Sequence, residues 1–92
     1  MGERRSRDRY AVKCLVDIVT SAEIMKGETQ NISGDGAFIL CDQPLQPREN
    51  VTLAIEFPDG LIMNMLAKVV WSSASDPNDK LRPQGMGVRF LW

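Results

Sequence analysis

The chain has 92 residues, 43% of them apolar, which is enough for one domain with a single hydrophobic core and too little for two. It contains no histidine and only two cysteines without CxxC spacing, so a Ser-His or Cys-His hydrolytic pair is excluded and a zinc site lacks its ligands. The formal charge of −1 hides an asymmetry, because residues 1–10 carry a net +2 and the remainder −3, and an acidic body argues against a broad nucleic-acid surface.

Before the first strand, residues 1–10 read as a flexible arm rich in arginine (Arg4, Arg5, Arg7 and Arg9, against Glu3 and Asp8), and 11–92 as a single domain. Period-two alternation then dominates. Over 11–19 it sets Val12, Cys14, Val16 and Ile18 on one face, and a less regular strand containing Gly27 follows over about 23–32. After the turn Ser33-Gly34-Asp35-Gly36, the run Ala37 to Cys41 reads as a strand buried on both sides, so Phe38 is assigned to the core. Pro44 and Pro47 mark a loop. Val51, Leu53, Ile55 and Phe57 form the core face of a fourth strand, closed by Pro58-Asp59-Gly60. The longest strand, about 61–72, points Leu61, Met63, Met65, Ala67, Val69 and Trp71 inward. Ser72 to Gln84 reads as a solvated loop, and Met86, Val88, Phe90 and Trp92 form the core face of the last strand. The fold class is therefore all-β, a six-stranded antiparallel β-barrel, with Cys14 and Cys41 as small buried hydrophobes. No apolar run approaches the roughly 18 to 20 residues of a membrane helix, and Met1-Gly2-Glu3-Arg4-Arg5 does not open a secretory signal, so a cytoplasmic location is expected.

Two motifs carry chemistry. In the arm, guanidinium groups can fork onto phosphate oxygens or guanine O6 and N7, and can stack on a purine face. If Arg5 and Arg9 meet in a turn their Cβ atoms lie about 5 to 6 Å apart, and in an extended arm about 13 Å. The second motif is Asn31-Ile32-Ser33-Gly34-Asp35-Gly36, where the Asn31 amide and Ser33 hydroxyl can donate and accept. Gly36 there can adopt positive φ or admit a ligand close to the backbone.

In this order and separation the two features resemble the PilZ domain family, with Arg5 and Arg9 fitting RxxxR and Asn31, Ser33 and Gly36 fitting (D/N)xSxxG. Pro58-Asp59-Gly60, Val69-Val70-Trp71 and Gly85 to Phe90 are similar to further segments of that family. The resemblance implies a split-barrel fold that binds cyclic di-GMP on its outer surface, with no further cofactor. It implies that Arg5 and Arg9 contact phosphate and guanine, and that Asn31 and Ser33 address guanine edges near Gly36, with Gly34 and Asp35 alongside. On this reading ligand binding orders the arm and signals to a partner protein in motility, exopolysaccharide or biofilm control. Arg4 is either a third guanidinium that favours capture of two stacked ligand molecules or one more solvated arginine. Two departures stand out: Asp35 sits where the family often has glycine, placing a carboxylate near an anion, and the family's C-terminal helix is absent or minimal here.

Two other functions compete. One is a PilZ-like adaptor without nucleotide binding, against which the intact motifs speak. The other is a small nucleic-acid-binding barrel, disfavoured because Trp71, Phe57, Phe38 and Phe90 all fall on expected core faces, Tyr10 being the exception. An enzyme is not expected, since nothing brings two carboxylates together.

Overall fold

The computed structural model describes residues 10–75 and 84–92. Six strands, β1 (Leu15–Val19), β2 (Ile24–Ile32), β3 (Gly36–Cys41), β4 (Asn50–Glu56), β5 (Ile62–Ser72) and β6 (Gly85–Phe90), close into an antiparallel barrel in the order β1-β2-β3-β6-β5-β4. Two three-stranded meanders, β1-β2-β3 and β4-β5-β6, are thus joined along β1–β4 and β3–β6, which leaves no strand with an open edge. Alternation does the sorting. Val16, Ile18, Ile39, Leu53, Ile55, Ala67, Val69, Met86 and Val88 point inward and are almost fully buried, and Cys14 and Cys41 join them as free thiols. Among the described residues no helix is long and apolar enough to cross a membrane.

Turn chemistry sets the registers. Gly60 takes φ 93°, a left-handed conformation that glycine adopts without steric cost, and Asp59 Oδ1 accepts the Leu61 N–H at 3.0 Å. At the β1–β2 turn the Thr20 hydroxyl accepts the N–H groups of Ala22 and Glu23.

Two bulges interrupt the alternation. In β2 the register with β3 slips between Thr29 and Asn31, so Gln30 is the extra residue and Asn31 comes to the outer face opposite Phe38. In β5 the register with β6 slips between Val69 and Trp71, so Val70 is extra, Ser72 is buried and Trp71 turns outward. That outcome corrects the expected inward Trp71.

The first bulge also shortens β1, which begins at Leu15 rather than near residue 11. Where the β2 backbone is out of step, the buried Thr29 side chain takes over: its hydroxyl accepts the Cys14 N–H at 2.8 Å and donates to the Val12 carbonyl. The Thr29 N–H donates to the Cys14 carbonyl at 2.9 Å. Residues 10–14 therefore still run along β2, and beyond the bulge Tyr10 and Ile32 exchange both backbone hydrogen bonds at 2.8 and 2.9 Å.

Three further expectations change. Ala37 to Cys41 is buried on one side only: Phe38 and Leu40 are half-buried on the outer face. Leu61 precedes β5 and is exposed, its carbonyl accepting the Phe57 N–H in the turn. Trp92 lies past the end of β6, 77% exposed, where its indole N–H donates to the Gly34 carbonyl.

Candidate functional site

The Asn31–Gly36 motif forms the tight connection from β2 to β3. The Ser33 N–H donates to the Gly36 carbonyl at 2.8 Å, and the Ser33 hydroxyl accepts the N–H groups of Asp35 (3.2 Å) and Gly36 (3.3 Å). The same hydroxyl reaches the Gly36 carbonyl at 3.3 Å as donor, which completes its hydrogen-bonding capacity. Ser33 is buried and works as the staple of its own turn. The C-terminal end of the chain grips the turn from the other side: Phe90 N–H donates to the Asp35 carbonyl at 2.8 Å, and Trp92 Nε1–H to the Gly34 carbonyl at 3.3 Å. The Trp92 ring meets Phe90 edge-on at 5.4 Å.

Gly36 has a different reason to be glycine from the one the motif suggested. Its φ is not among the positive values, which occur at Arg48 and Gly60. A Cβ on Gly36 would lie 2.0 Å from the Val88 carbonyl oxygen, so the close approach of β3 to β6 excludes any side chain.

Outside the barrel, two rungs of cross-strand partners lie beside this turn. Asn31, Phe38, Gly87 and Trp71 are successive partners across β2, β3, β6 and β5 and share the outer face. The rings of Phe38 and Trp71 touch across Gly87, with centroids 5.4 Å apart and planes tilted by 37°. One pleat nearer the turn, about 7 Å along the strands, Gly36, Arg89, Lys68 and Asn50 form the next rung. Arg89 is exposed and Lys68 half-exposed. This surface offers an amide, two aromatic faces and two cations across four adjacent strands, groups suited to a purine bearing phosphate.

Of the residues singled out from the sequence, Asn31, Ser33, Gly34, Asp35 and Gly36 are brought together at this corner, while Arg4, Arg5 and Arg9 lie outside the described residues. Asn31 is half-buried on the outer face, and the Gly34 and Asp35 backbones are exposed but tied to Trp92 and Phe90. Tyr10, grouped with the arm in the sequence, is fixed to Ile32 inside the motif. Trp71 was missed because alternation assigns it to the core and a bulge leaves no fixed sequence mark, and Phe38 because the continuous apolar run Ala37 to Cys41 reads as buried on both sides.

The opposite end of β2 and β3 carries a groove lined by Leu15, Lys26, Glu28, Leu40, Cys41, Asp42 and Gln84. Its carboxylates do not suit an anion. Burial, and after it the Asp42 carboxylate, pushes the Cys41 thiol up, which disfavours the thiolate.

A search of curated proteins finds no match to the chain. A family model described as PilZ domain matches residues 3–92, spanning both the arm and every strand of the barrel. The chain therefore belongs to the PilZ domain family.

Proposed function

We propose that this chain is a receptor module for cyclic di-GMP, which seats against the Asn31–Gly36 turn and the adjoining outer face while the arginines of the arm close over it. One observation carries the reading: the Tyr10–Ile32 bridge fixes the point from which the arm departs inside the second motif itself. Arg9 is bonded directly to Tyr10, and Arg5 is five residues away, within about 17 Å of chain. Both guanidinium groups thus fall within reach of a ligand seated at the turn. In this reading Asn31 addresses a guanine edge, Ser33 acts by holding the turn, and the Phe38–Trp71 pair gives a base an apolar face. Capture of the ligand orders the arm and so alters the surface offered to a partner protein.

Calorimetric titration with cyclic di-GMP tests this. The parent chain binds; Arg9→Ala loses charge-assisted contacts and weakens binding about tenfold or more. Ser33→Ala loosens the turn and weakens it less. Undiminished binding in both variants would move the site elsewhere.

One observation favours an adaptor without nucleotide binding: Ser33 and Gly36 each have a structural task that would retain them in the absence of a ligand. A folded parent chain that shows no heat with cyclic di-GMP would select that alternative.

A further inference from the structure

Lys68 and Arg89 are direct cross-strand partners on the outer face of β5 and β6. Like charges directly opposite one another across a sheet repel, so such a pair costs stability unless an anion lies between them. No carboxylate does so among the described residues, whose one ion pair is Lys26 with Asp17, on β2 and β1. Glu49, on the chain entering β4, turns its Oε2 back to accept the Gln46 N–H at 2.9 Å. Asp35, next to the Arg89 partner Gly36 in the chain, is exposed at the turn. Arg89 is also the partner of Gly36, which has no side chain to cover it. The cation pair therefore borders the motif turn on one side and, one pleat away, the Phe38–Trp71 rings on the other.

We infer that Lys68 and Arg89 are a second anion contact of this site, taking one of the two phosphates of a cyclic dinucleotide while the arm takes the other. The inference rests on the reading under Proposed function and adds a rigid half to it. Lys68 and Arg89 stand on paired strands and are positioned before the ligand arrives. They give the ligand a fixed first contact, and the guanidinium of Arg89 can fork onto two phosphate oxygens where the ammonium of Lys68 meets one.

The test is calorimetric titration of cyclic di-GMP into the parent chain, Lys68→Gln, Arg89→Gln, Arg89→Lys and Lys26→Gln, each checked for an unchanged thermal midpoint. Lys26 is a distant exposed cation, so Lys26→Gln makes the same change in net charge as Lys68→Gln. The inference expects Lys68→Gln and Arg89→Gln each to weaken binding about tenfold or more. Arg89→Lys should fall between Arg89→Gln and the parent, and Lys26→Gln should stay within about twofold of it. Lys68→Gln and Arg89→Gln affinities equal to that of Lys26→Gln would overturn the inference while leaving the ligand assignment in place. A parent chain that does not bind would instead overturn the ligand assignment itself, and this inference with it.

Discussion

Thr29 is the residue on which both the fold and the site depend. Replacing it with valine keeps the shape and removes the hydroxyl that accepts the Cys14 N–H and donates to the Val12 carbonyl across the β2 bulge. Cys14 is 1% exposed, so its N–H has no water to turn to, and leaving it unpaired costs about 1 to 3 kcal/mol. The Val12 carbonyl lies on a half-exposed residue and regains part of its hydration, adding about 1 kcal/mol at most. The extra buried methyl returns about 0.8 kcal/mol. The net loss is about 0.2 to 3 kcal/mol, out of about 5 to 14 for a chain of this size. A domain this small would lose up to about 20 °C in thermal midpoint. Because the same hydroxyl holds residues 12–14 against β2, Thr29→Val also loosens the Tyr10 attachment and weakens cyclic di-GMP binding. Thr29→Ser keeps the hydroxyl and gives up one buried methyl, so it loses some stability with little effect on binding. Denaturant unfolding and ligand titration of both variants check this. Full stability and full affinity in Thr29→Val would refute the role given to the hydroxyl.

Gly36→Ala places a methyl against the Val88 carbonyl at 2.0 Å, so β3 and β6 must separate; the thermal midpoint should fall by about 10 °C or more. An unchanged midpoint would show that the two strands yield easily. Trp71 and Trp92 both flank the proposed seat, so saturating ligand should change tryptophan emission, and Trp71→Phe should remove part of the change. No change in emission with bound ligand would place the ligand away from both rings. The folded chain raises the Cys41 thiol above its ordinary range, so folding favours the protonated form. That contribution is complete below the ordinary thiol pKa and is lost as pH rises from there through the raised folded value, so stability declines at alkaline pH. Cys41→Ala should flatten this decline, read from urea midpoints between about pH 7 and 10; an equal slope in both proteins would assign it to other groups.

Much of the architecture was legible because period-two alternation is a direct consequence of strand geometry, and five of the six strands lie within two residues of their expected limits. The sixth, β1, starts four residues late because a side-chain hydroxyl replaces a backbone partner at the Gln30 bulge, which no pattern of apolar residues records. The two bulges explain the main errors of facing. Val69-Val70-Trp71-Ser72 reads as continuing alternation, yet one unpaired residue carries Trp71 outside and Ser72 inside. Trp92 fits the alternation and lies beyond the last paired residue, where its indole N–H finds the Gly34 carbonyl instead of the core. At the site, the turn chemistry of Asn31 to Gly36 was readable from residue type. The cause of Gly36 was not, since close approach of two strands and positive φ call for the same residue.

Amide chemical-shift mapping by two-dimensional NMR locates the ligand most directly. On adding cyclic di-GMP, the signals of Tyr10, Asn31, Gly34, Asp35, Gly36 and Arg89 should shift together, while those of Leu15, Ile24, Glu28 and Asp42 at the far end of the barrel stay in place. Shifts confined to that far end, with the turn unmoved, would contradict a ligand seat at the Asn31–Gly36 corner.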